Sequence, residues 1–112
     1  MLAFCLGDMH MKKAANSSEL ATMVGEAVYE VSELRACLEH DDEEAAIYTP
    51  YLDALDTMLR DLHESMTSGK YAGAGKGEDL VFMALFKKHE RDIPFRELLR
   101  MINATHREGY EA

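Results

Sequence analysis

The sequence predicts an all-α fold, a small four-helix bundle organised on an antiparallel helical hairpin, and three observations point to it. Leu20, Val24, Ala27, Val31, Leu34 and Leu38 recur at spacings of 4, 3, 4, 3 and 4. Tyr48, Leu52, Leu55, Leu59, Leu62 and Met66 repeat that beat, so each run lays an apolar seam along one helix face. An acidic turn, His40 to Glu44, separates the two seams. Two antiparallel neighbours need that arrangement to interdigitate their a/d-type positions.

The elements follow in order. Met11-Lys12-Lys13 reads as an internal start, so residues 1–16 are expected to form a disordered extension ahead of one helical domain over 17–110. Ser17 or Ser18 is expected to cap the first helix, with Glu19 complementing the positive end of its dipole. Glu26, Glu30, Glu33 and Glu39 lie off the seam and give the helix an acidic outer face. Asp41 and Asp42 suit the junction, with Glu43 and Glu44 in the next first turn. Pro50 allows either a fresh helix capped by Thr49 or one long helix from Asp42 to Ser65 with a kink. The seam runs through Tyr48 and Leu52 in phase, which favours a kinked or tightly joined pair.

Residues 67–77 hold Gly69, Gly73, Gly75 and Gly77 without apolar periodicity and are expected to be a flexible linker, a hinge of the kind that permits domain swapping. Leu80 to Phe86 is apolar at all seven positions. Flanked by Glu78-Asp79 and Lys87-Lys88, it reads as a helix buried on more than one side, central or in a dimer interface. Asp92-Ile93-Pro94 stops it. Pro94 opens a last helix whose face is Phe95, Leu98, Leu99 and Ile102, and Gly109 ends it.

The totals bound the function. A chain of 112 residues is one domain able to bury roughly 65% of its unfolded surface. Eight Met, five Tyr and no Trp suit an adaptable core more than a sharply shaped pocket. The net charge is -9 and unevenly spread. Residues 1–68 hold 14 Asp and Glu against 4 Lys and Arg, whereas residues 69–112 hold 7 against 8. The acidic half repels phosphate backbones and suits a basic protein partner. Lys87, Lys88, Arg91, Arg96, Arg100 and Arg107 are interleaved with Glu90, Asp92 and Glu97, which argues against a nucleic-acid patch. Cys5 and Cys37 are too few for a disulfide framework and read as reduced thiols of a cytoplasmic protein, Cys37 largely buried beside the seam. No apolar run reaches the ~18 residues of a membrane span.

Several constellations bear on possible chemistry. His40 with Asp41, Asp42, Glu43 and Glu44 is explained by helix capping, since adjacent residues in a turn cannot all converge on one ion. His63, His89 and His106 show no metal-ligand spacing. Gly75-Lys76 lacks the leading Gly and following Ser or Thr of a phosphate-binding loop, and it follows a helix. Phe82, Met83, Phe86 and Met101 read as core, with a Met-lined peptide surface if Phe82 or Met83 faces outward.

Glu30 and Glu33, then Asp53 and Asp56, form two i,i+3 carboxylate pairs on neighbouring helices. Facing pairs of this kind can hold Mg²⁺ against a substrate diphosphate. Over residues 26–60 the spacing resembles the all-helical MazG-like nucleotide pyrophosphohydrolases, which carry a Glu-Glu-x-x-Glu block followed by Glu-x-x-Asp. Tyr29 and Asp53 stand at two positions where that pattern has Glu. The resemblance implies a magnesium-dependent enzyme with Glu30, Glu33, Asp53 and Asp56 as metal ligands. The solvated acidic face is the preferred reading. Function is therefore expected to be that of a non-enzymatic protein-interaction or regulatory module, a homodimer or the partner of a protein with a basic surface, and the magnesium enzyme is the alternative.

Overall fold

The computed structural model describes residues 13–39, 42–71, 73–75 and 77–110. Among the described residues four α-helices follow one another: α1 over Ser17–Leu38, α2 over Asp42–Thr67, α3 over Met83–His89 and α4 over Arg96–Glu108. A 3-10 turn, Glu90–Asp92, sits between α3 and α4. The described residues contain no strand. No described helix is long and apolar enough to cross a membrane.

The hairpin forms through the two seams. Leu20, Val24, Ala27 and Val31 of α1 are buried with Leu55 and Leu59 of α2, while Leu34, Leu38, Tyr48, Leu62 and Met66 pack at the edges. α1 packs along α2 and also against α4. Leu98, Leu99 and Ile102 bring one α4 stripe into the same core, joined by Phe82, Ile93 and Phe95.

The first cap lies one residue earlier than expected. Asn16 is extended and its Oδ1 accepts the Glu19 N–H at 2.9 Å. Glu19 Oε1 in turn accepts the Ala15 N–H at 2.9 Å. Glu19 thus occupies the third helical position, where a carboxylate can reach back, and this reciprocal closure favours Asn16 over Ser17 or Ser18. Of the expected disordered extension 1–16, residues 1–12 lie outside the described residues and residues 13–16 pack on the domain. Ala14 is buried and its N–H donates to Thr105 Oγ1 at 3.0 Å, and Lys13 pairs with Glu108 at 3.1 Å.

α2 is one continuous helix with Pro50 inside it. Proline removes the N–H that would reach the Ala46 carbonyl, but Ala46 and Pro50 are exposed, so water can serve that oxygen. Thr49 is no cap: its Oγ1 donates back to the Ala45 carbonyl at 2.7 Å. His40 and Asp41, the expected junction, lie outside the described residues. The helix closes on Gly69, whose φ of 82° is open to glycine without strain. The Lys70 N–H then reaches the Ser65 carbonyl at 2.8 Å, the bond of a Schellman motif.

The segment expected to be a flexible linker is tied to α4. The Gly75 and Gly77 N–H groups donate to the carbonyls of His106 and Arg107 at 2.8 and 2.9 Å. The Tyr71 hydroxyl meets His106 Nδ1 at 2.5 Å. Ala72 and Lys76 of this segment lie outside the described residues.

The apolar run at 80–86 behaves differently from the expectation of a helix buried on several sides. Leu80, Val81 and Phe82 form a turn and α3 starts only at Met83. Leu80, Phe82, Met83 and Phe86 point inward, Ala84 is exposed, and Val81 is 71% exposed. A short helix docked on one side has room inside for only part of so dense a run.

Candidate functional site

The four carboxylates singled out in the sequence stand on the paired helices α1 and α2. Asp53 and Asp56, one turn apart on α2, converge on a cation from α1. The Arg35 guanidinium lies 2.6 Å from Asp53 Oδ1 and 3.2 Å from Asp56 Oδ2. Arg60, one turn further along α2, donates its Nε–H to Asp56 Oδ1 at 2.8 Å. Arg35 Nη2 and Arg60 Nε thus meet three of the four carboxylate oxygens of Asp53 and Asp56 with charge-assisted hydrogen bonds. The Arg35 side chain is 43% and the Asp53 side chain 82% exposed, while Asp56, which takes two of the three contacts, is 17% exposed, so the network lies at the surface with its centre partly covered.

The α1 pair is split. Glu30 is buried, while Glu33 sits nearer solvent beside Tyr29. The Glu33 carboxylate raises the Tyr29 phenol above its ordinary value, with smaller contributions from burial and from Glu30. Among the described residues no group of three or more His, Cys, Asp or Glu side chains is placed to hold a metal ion.

The described histidines pack against neighbouring residues. His89 stacks on Tyr51 with ring centroids 5.1 Å apart, and Tyr51, fully buried, donates its hydroxyl to the Asp92 carbonyl at 2.7 Å. His63 leans over Gly25, where a Cβ would come within 3.3 Å of its Nε2. That close approach of α1 and α2 is a use for Gly25 that periodicity alone does not announce. Cys37, expected to be largely buried, is exposed, because it lies three residues beyond Leu34 and one short of Leu38, off the seam. Gly75 and Gly77 spend their N–H groups on α4 carbonyls, which leaves those amides no phosphate to cradle.

A cleft of 660 Å³ opens between α3, α4 and Gly77, with Met83, Phe86, Met101 and Ala104 in its apolar wall. Met83 and Phe86 are buried and Met101 is half-buried. Its cations are engaged at the rim: Arg100 pairs with Glu90 and Glu97 and lies 5.8 Å from the Phe86 ring centroid. Lys87 and Arg107 both pair with Asp79, at 3.5 and 3.1 Å. Further out, Lys88, Arg91 and Arg96 have no carboxylate within ion-pair distance among the described residues.

Neither Arg35 nor Asn103 stands out as a site residue in the sequence. Arg35 is the lone cation of α1, a signal that one acidic neighbour would claim it. Asn103 sits inside the polar-to-apolar boundary of α4 without a distinguishing pattern. Compared with protein-family models, with curated proteins and with solved structures, the chain matches none.

Proposed function

We propose that this chain is a non-enzymatic protein-interaction or regulatory module whose acidic hairpin receives a basic surface of a protein partner in a reducing, cytoplasmic setting. The observation that supports this reading is how charge is used on the hairpin. Its two cations between residues 17 and 67, Arg35 and Arg60, are both engaged by Asp53 and Asp56. Glu26, Glu43, Asp61 and Glu64 are exposed and have no cation within ion-pair distance among the described residues. An acidic surface of this kind steers and orients a basic partner, contributing to on-rate and selectivity more than to raw affinity. The same use of Arg35 and Arg60 weighs against the magnesium enzyme.

The test is an amide NMR titration of the full chain with a lysine-rich helical peptide, repeated at high salt, with parallel titrations of Mg²⁺ and nucleoside triphosphates. The reading expects peptide-induced shifts at Glu26, Asp61 and Glu64 that vanish as salt screens them. Absence of any peptide response overturns it. So does magnesium-dependent triphosphate hydrolysis with shifts confined to Glu30, Glu33, Asp53 and Asp56.

A further inference from the structure

We infer that the basic surface is supplied by a second copy of this chain, through two complementary helical stripes that pair reciprocally about a two-fold axis; this rests on the interaction reading above. The acidic stripe is on α1: Glu26, Tyr29 and Glu33 follow at spacings of 3 and 4 and so share one face. Tyr29 is 60% exposed between the two carboxylates. The basic patch lies on α3 and its two flanking turns: Val81 precedes the helix, Ala84 and Lys88 stand one turn apart on it, and Arg91 follows in the 3-10 turn. All four are exposed, Val81 at 71%, and neither Lys88 nor Arg91 has an ion-pair partner among the described residues.

Tyr29 and Val81 are two of the three large apolar side chains exposed on the described surface. Tyr29 is flanked by Glu26 and Glu33, whereas Val81 is continued through Ala84 to Lys88 and Arg91, with the exposed Glu78 on its other side. An aromatic ring flanked by carboxylates and an aliphatic patch continued by two free cations are what the core and rim of a small polar interface need. Because one chain carries both stripes, a two-fold places each stripe against the other chain's complement and makes the contact twice. Two such contacts bring a pair of short stripes towards the area a specific interface requires.

The experiment is sedimentation equilibrium of the full chain at low and high salt, with Glu26→Lys, Lys88→Glu and Tyr29→Ala, each checked for helical content by circular dichroism. The wild type is expected to reach twice the chain's mass at low salt, with association falling as salt rises. Each single substitution is expected to weaken association by about tenfold or more. Mixing the Glu26→Lys chain with the Lys88→Glu chain restores the dimer, because one contact then has both charges exchanged and the other is native. A chain that stays monomeric at every concentration overturns the inference. A dimer indifferent to all three substitutions, or one the mixture fails to restore, overturns it too. If the chain is monomeric yet the lysine-rich peptide still shifts Glu26, the interaction reading stands and only the identity of the partner falls.

Discussion

Asn103 Oδ1 accepts the Leu80 N–H at 2.8 Å across 23 residues of chain. Asn103 is buried on α4, and its Nδ2 donates to Asp79 Oδ1 at 3.1 Å, so one amide holds the entry to α3 against the last helix. Replacing Asn103 by Leu strands the buried Leu80 N–H, a penalty of about 1–3 kcal/mol. Urea unfolding of Asn103→Leu should show that loss in the midpoint, and a midpoint equal to wild type would mean the turn is held some other way.

The same amide sets an acid limb. The Asn103 hydrogen bond, helped by Arg107 and Lys87 and opposed by burial, holds the Asp79 carboxyl below its ordinary value of 3.8. A carboxylate held down in the folded state adds stability that is present above its unfolded value and lost as pH falls through the folded one. Stability should therefore drop below about pH 4, and the part due to Asp79 should shrink in Asn103→Leu when unfolding is followed against pH.

Tyrosine ionisation sets the alkaline limb. Burial first, then the neighbouring Tyr48 and Asp92, pushes the Tyr51 phenol well above its ordinary 10.0. Burial, with Tyr110, pushes Tyr71 up to about 12. Above pH 10 the unfolded chain loses protons that the folded chain keeps, so stability falls as pH rises. Tyr51 alone should contribute a slope of up to about 1.4 kcal/mol per pH unit. Chemical denaturation from pH 9 upward checks this: Tyr51→Phe should be less stable at neutral pH, having lost the Asp92 bond, but should show a shallower alkaline slope.

Thr105 anchors the approach to α1. Its Oγ1 accepts from the Ala14 N–H and donates to the Met101 carbonyl at 2.9 Å, and the site is buried. Thr105→Val keeps the shape and removes the acceptor, so hydrogen exchange at the Ala14 amide should accelerate while the α2 amides keep their protection. Unchanged exchange at Ala14 would contradict the anchoring role.

Core and surface should separate cleanly on the hairpin. Leu55 is fully buried in the seam, and Leu55→Ala should cost about 2–5 kcal/mol by opening a cavity. Arg35→Gln breaks the bonds to Asp53 and Asp56, yet in a network at the surface it should cost at most about 1 kcal/mol. Thermal unfolding of the two variants side by side would read the difference, and equal losses would show that the Arg35 network is structural.

The helical hairpin and the end of the last helix are written in the local order of residues. Apolar spacing, the seam through Pro50 and the stop at Gly109 act over a few residues, so their physics is present in the linear order. The cap shifted by one residue from Ser17 to Asn16 because Glu19 chooses the partner it can answer. The fates of the carboxylates and of the apolar run belong to the tertiary structure. Arg35 reaches Asp53 and Asp56 only because α1 and α2 pair in one register, and a sequence with many acids does not say which of them a crossing cation will take. Val81 faces outward because docking α3 on one side leaves room inside for Leu80, Phe82, Met83 and Phe86 and none for every member of the run. The glycine-rich segment, free by composition, is laid along α4 by hydrogen bonds to the His106 and Arg107 carbonyls, and those exist only once the end of that helix stands beside it.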